Sequence, residues 1–117
     1  MKISDLLKIC EASHSMKVLC VGDIMLDRFS YGKVERISPE APIPVLKQTK
    51  ELSMLGAAGN VARNVASMGS VAVLIGVIGE DEAGSLLKIQ LEDEPQITDQ
   101  LSSEADRVTT VKIRYIA

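Results

Sequence analysis

Cysteine is scarce: Cys10 and Cys20 are the only two in 117 residues. Two isolated cysteines support neither a disulfide framework nor a zinc site. Long apolar runs are missing as well. Nothing approaches the ~20 residues of a membrane-spanning helix, and the opening MKISDLLKICEASHS lacks the uninterrupted apolar stretch of a secretory signal. Nor is there an excess of positive charge. Thirteen basic against sixteen acidic residues give a net charge of -3, which argues against a nucleic-acid partner. The single histidine, His14, sits in a polar stretch with no acid or nucleophile beside it and reads as solvent-exposed. These absences point to a cytoplasmic protein with no membrane association.

What is present suits one small folded domain. Hydrophobic residues make up 46% and charged residues 25%, which supports a packed core and disfavours disorder. Ile3, Leu6, Leu7 and Cys10 recur at helical spacing over residues 3–13, with Ser4 as a plausible N-cap. Residues 17–21 form a short apolar run ending in Gly22-Asp23 and read as a buried strand. Residues 28–50 are polar, interrupted by Pro39, Pro42 and Pro44, and read as small exposed strands. A helix is predicted over 60–68, with Val61, Val65 and Met68 on its inward stripe and Gly69 as its stop. The unbroken run from Val71 to Ile78 suits a parallel strand buried on both faces. Asp81 is placed to cap a following helix, with Ala83, Leu86, Leu87 and Leu91 on one side. Residues 92–107 show little pattern, with Pro95 and many acids. The last ten alternate, with Val111, Ile113, Tyr115 and Ala117 opposite Thr110, Lys112 and Arg114. This order of strands and helices is an α/β signature.

Two segments carry candidate chemistry. In Leu55-Gly56-Ala57-Ala58-Gly59-Asn60, small residues lead into a helix whose N-terminus favours oxygen-rich or anionic groups. A plain structural reading, a tight helix entry, is equally open on spacing alone. A dinucleotide fingerprint is disfavoured, because Lys50 to Met54 do not read as a buried strand and the third glycine is missing. Asp23 and Asp27 follow the first strand, where open α/β sheets place ligands. A carboxylate there can accept from two sugar hydroxyls, or Asp23 can simply cap a turn. Cys20 reads as an inert core residue. Arg28, Lys33, Arg36 and Lys47 could meet a substrate phosphate, or form a solvated surface.

Val21 to Phe29, then Gly32, then Arg36-Ile37-Ser38-Pro39-Glu40-Ala41-Pro42-Ile43-Pro44-Val45, resembles the start of a ribokinase-like (PfkB) carbohydrate kinase. Within that family the resemblance is to bacterial kinases of D-glycero-D-manno-heptose 7-phosphate. Asn60, Ala62, Gly69 and Gly79 fit the family's first signature, and Gly79 to Gly84 and Val108 to Arg114 fit later segments. The resemblance implies the amino-terminal part of a doubly wound α/β sheet with a small β-sheet lid, over about 28–50 and 108–117, often shared between two subunits. It further implies that Asp27 binds sugar hydroxyls, Gly56 lets the sugar approach the backbone, and Asn60 holds another hydroxyl. The family has a second glycine where this chain has Ala57, whose methyl group would oppose a positive φ. The family's Gly-x-Gly-Asp motif, with its catalytic base and most of the ATP site, is absent. The chain is therefore expected to be the sugar-binding part of a kinase that uses ATP and Mg²⁺, binding neither tightly by itself. The implied reaction phosphorylates the anomeric position of heptose 7-phosphate, towards ADP-heptose and lipopolysaccharide core. The rival expectations are a non-catalytic chain that only oligomerises through its lid strands, and a small nucleotide-binding module.

Overall fold

The computed structural model describes residues 1–117. The chain runs α1 (Ile3–Ser13), β1 (Lys17–Val21), β2 (Ile24–Ile37), β3 (Pro44–Ala57), α2 (Ala58–Ser67), β4 (Val71–Gly79), α3 (Glu82–Glu92), β5 (Ile97–Glu104) and β6 (Thr110–Ile116). These strands form two three-stranded sheets. One is parallel, in the order β1-β4-β5, and makes the α/β layer with α2 and α3. The other, β3-β2-β6, pairs β2 antiparallel to β3 and parallel to β6.

The second sheet is larger and more deeply rooted than the polar, proline-punctuated composition of 28–50 suggests. Its two long strands begin and end in the core, where Ile24, Leu26 and Leu55 are almost wholly buried. Pro39 and Pro42 fall in the turn between the strands and Pro44 opens β3, where a missing N–H costs least. The far half of the hairpin extends away from the α/β layer. The radius of gyration is accordingly 18.6 Å, against about 13–14 Å for a compact domain of this length.

The core is one cluster of thirteen residues between β4, α2, α3 and the root of the hairpin. Leu87 and Leu91 of α3 face it as the helical spacing predicts. The inward face of α2 differs from the expected one. Gly59 and Ala62 are buried, with Ala58, Val65 and Ala66 packed alongside, whereas Val61 and Met68 are exposed. Small residues let the helix sit close: a Cβ on Gly59 would lie 3.0 Å from Leu55 Cβ. The helix also starts two residues earlier than predicted, and Gly69 ends it with φ +89°.

Other expectations need correction. β4 is buried on one face only: Ala72, Leu74 and Ile78 face the core, while Ile75 on the other side is exposed. On β1 only Cys20 is buried, and Leu19 and Val21 face outward. Ser4 does not cap α1; the Lys2 backbone N–H donates to Asp5 Oδ2 at 3.0 Å instead. No residue of α1 is buried, and the helix is held at its end, where the Ser70 hydroxyl donates to the Ser13 carbonyl. His14 is exposed, with its ring over Gly69. Residues 97–104, read as patternless, form β5.

Candidate functional site

The site grows from the pairing of β2 with its two neighbours. Register places Asp27 opposite Met54 on β3 and opposite Lys112 on β6. Lys112 Nζ lies 2.8 Å from Asp27 Oδ1 and donates to Oδ2 at 3.0 Å. The Asp27 side chain is only 15% exposed, so the cation offsets much of its desolvation. Despite the short approach, Oδ1 receives no well-directed hydrogen bond and is itself buried.

Gly56 closes this corner from the β3 side. A Cβ there would lie 2.8 Å from Asp27 Cγ, Asp27 Oδ1 and Met25 Cγ. The glycine is required by close approach, and its backbone borders the carboxylate. Beyond it, Ala57 adopts φ 49° and ψ -122°, the only non-glycine residue with positive φ. That turn swings the chain from β3 directly into α2. Its exit is fixed by the Ala58 N–H, which donates to the Asp23 carbonyl at 2.9 Å. Lys50 to Met54 are thus a strand after all, but none of them is buried.

Asp27 and Gly56 are brought together; Asn60 stands apart from them. It lies on the outward side of α2 with Arg63, Asn64 and Ser67, lining an open hollow of about 430 Å³. Arg63 in that hollow is held by Glu94 at 2.7 Å. Asp23 borders a different hollow, of about 320 Å³, at the carboxyl ends of β1, β4 and β5, together with Gly22, Gly76 and Arg107. Arg28 projects from the other face of β2 and donates to Glu82 at 3.4 Å, so it is engaged with α3. Sequence reasoning did not single out Lys112. Only its alternation with Val111 and Ile113 was visible, and the strand register that sets it beside Asp27 was not.

The turn after β4 is a second polar centre. Asp81 caps α3 as the sequence suggests, accepting from the Gly84 N–H at 2.8 Å. Its other oxygen accepts from the Thr109 N–H at 2.8 Å, and the Thr109 hydroxyl accepts from the Gly79 N–H at 2.8 Å. The Thr109 N–H and hydroxyl, followed by the Gly84 N–H, hold the Asp81 carboxyl below the usual aspartate range.

The profile of pfkB family carbohydrate kinases matches residues 15–117. The chain belongs to the pfkB family of carbohydrate kinases. It is 54% identical over 112 residues to the bifunctional protein HldE of Caulobacter sp. (strain K31), covering 96% of this chain and 23% of that protein. It is 47% identical over 113 residues to the HldE of Acidiphilium cryptum, covering 97% of this chain and again 23% of the relative. This pfkB chain therefore spans less than a quarter of the length of those relatives. Among solved structures it is similar to the aminoimidazole riboside kinase of Salmonella enterica, with TM-score 0.61 and 27% identity over 84% of this chain and 28% of the other. That kinase has also been solved with aminoimidazole riboside and an ATP analogue. Halothermothrix orenii fructokinase aligns with TM-score 0.61 and 26% identity, over 86% of this chain and 34% of its own. The ribokinase-like α/β architecture expected from the sequence is the one observed.

Proposed function

We propose that this chain is the sugar-binding part of an ATP-dependent carbohydrate kinase that phosphorylates heptose 7-phosphate at its anomeric position. The product, a 1,7-bisphosphate, would feed ADP-heptose and lipopolysaccharide core synthesis in the cytoplasm. The observation that carries the reading is the Asp27 corner: a largely buried carboxylate held by Lys112 and set against a glycine backbone. Such a carboxylate accepts strongly from sugar hydroxyls. β3-β2-β6 acts as a lid that excludes water, and Asn60, set apart on the outward side of α2, is not counted among the groups that share the sugar with Asp27.

No three His, Cys, Asp or Glu side chains converge as a divalent cation site. In this reading the residues of this chain bind and orient the sugar. ATP with Mg²⁺, when bound, supplies the phosphoryl group and neutralises its charge. A second copy of the chain is the expected partner, paired through the open edge of β6, where Val111, Ile113 and Tyr115 are exposed. Sedimentation at micromolar concentration should show the dimer. No helix is long and apolar enough to cross a membrane.

Calorimetric titration tests the reading. Binding of heptose 7-phosphate without ATP supports it. Binding of ATP alone would replace it with a nucleotide-binding module, and binding of neither with a chain that only associates through its lid strands.

A further inference from the structure

The face of β2 opposite Asp27 meets α3 through two side-chain bridges. Glu82, Leu86 and Gln90 follow one another at four-residue spacing and so share one stripe of that helix. At one end Arg28 Nη2 donates to Glu82 Oε1 at 3.4 Å, and at the other Gln90 Nε2 donates to Ser53 Oγ at 2.9 Å. Leu86 between them packs against the core. Register sets Ser53 directly across from Arg28, so both bridges meet one rung of the β2–β3 ladder.

The charged bridge is the loose one. Its 3.4 Å exceeds the about 2.7–3.2 Å of a good N–H···O bond, and the Glu82 side chain is 84% exposed. Arg28 is only 22% exposed, and its Nε is buried without a hydrogen-bond partner. Glu51 Oε1, on the same sheet, stands 4.0 Å from that Nε, while Gln48 holds the other Glu51 oxygen at 3.0 Å.

A buried N–H without an acceptor is costly, and its bond to a carboxylate is of the strong kind. A small bend of β2 away from α3 lets Glu51 satisfy Nε and returns Glu82 to water, where an exposed ion pair loses little. We propose that Arg28 is an exchangeable latch. Paired with Glu82 it clamps the second sheet to α3; paired with Glu51 it lets the sheet bend beyond Leu26 and Leu55, which stay buried in both arrangements. One loose ion pair is traded for one hydrogen bond, so the two arrangements lie close in free energy. Asp27 is the next residue on β2 and faces the other way, so the latch also sets where that carboxylate stands. The latch holds whether or not Asp27 binds a sugar.

NMR on the isotope-labelled full chain tests it. Arg28→Lys, which has no Nε–H, assigns the Arg28 Nε–H signal. Glu82→Gln should move that signal downfield and slow its exchange with water about tenfold, the worth of one hydrogen bond to a charged group. The Gln90 side-chain amide should shift towards its free position in the same variant. Glu51→Gln should act the other way, with faster exchange at Arg28 Nε–H and the Gln90 signal held in place. Neither glutamate is buried, so circular dichroism should show both variants folded. Opposite responses to the two substitutions support the latch. Responses of the same sign, or an Arg28 signal that ignores either substitution, would show a static surface pair and overturn it.

Discussion

The Thr109 backbone N–H donates to Asp81 Oδ2 at 2.8 Å, joining the cap of α3 to the approach of β6 across 28 positions of sequence. The two sheets are therefore tied where the chain crosses from one to the other. Thr109 is 3% exposed and directly precedes β6, the strand that delivers Lys112 to Asp27. Thr109 of this knot and Lys112 of the candidate site lie three positions apart at the start of β6.

Acid should loosen this knot. Asp81 is held below the ordinary aspartate range because its N–H and hydroxyl partners favour the ionised form. The unfolded chain therefore protonates first as the pH falls. The stabilisation is complete above the unfolded pKa of about 3.9 and is lost as the pH falls through the lower folded value. Asp81→Asn should lower the melting temperature at pH 7 and make its decline below pH 4 shallower than in the wild type. Parallel declines would show that Asp81 is not the linked group.

Ala57 offers a gain instead. A methyl-bearing residue at φ 49° and ψ -122° is strained by about 1–2 kcal/mol. Glycine removes that strain and returns part of the gain through a freer unfolded chain. Ala57→Gly should therefore stabilise the fold by about 1 kcal/mol. Urea titration should show a higher midpoint with an unchanged slope; an unchanged midpoint would mean that the turn accommodates the methyl group freely.

Much of the α/β layer was legible because its signals are local. The spacing of Ala83, Leu87 and Leu91 and the cap at Asp81 suffice for α3, and the apolar run suffices for β4. β5 escaped because only Ile97 and Leu101 are buried in it. Asp99 between them looks unfit for a strand until Lys88 of α3 supplies two hydrogen bonds, at 2.9 and 2.7 Å. The inward face of α2 was misread because close packing rewards Gly59 and Ala62 over Val61. At the site, Asp27 and Gly56 were recognisable by motif. Lys112 depends on strand register, which no short window of sequence reports.

Gly56→Ala should separate binding from folding. The added methyl would crowd the Asp27 carboxylate and Met25 at 2.8 Å. Both contacts lie near the roots of their side chains, at Met25 Cγ and Asp27 Cγ, so the methyl group is accommodated only if the aspartate leaves its place beside Lys112 or Met25 changes rotamer. The melting temperature should fall modestly while affinity for the sugar phosphate falls at least tenfold, about the value of one charge-assisted hydrogen bond. Retained affinity in a folded variant would remove Gly56 from the site.

Asp27 and Asp23 should differ in the same assay. Asp27→Ala deletes a charge-assisted acceptor and should cost about 1.5–3 kcal/mol of sugar binding. The Asp23 backbone carbonyl, which accepts from Ala58, survives truncation of its side chain, so Asp23→Ala should cost less. Equal losses by calorimetry would reverse the assignment of roles.

The Asp27–Lys112 pair is unequal in a way that a double-mutant cycle can read. The aspartate side chain is 15% exposed and the lysine 42%, so solvent screens the cation more than the anion. Lys112→Met leaves a largely buried carboxylate with no offsetting charge, whereas Asp27→Asn leaves a cation that water can still reach. Lys112→Met should therefore destabilise the chain more than Asp27→Asn does. The double variant should recover part of the loss, with a coupling of about 1 kcal/mol by urea unfolding. Additive single effects would mean that Lys112 does not hold the carboxylate in solution. The sugar would then meet an Asp27 free to rotate, and the ordered corner on which the proposed function stands would be lost.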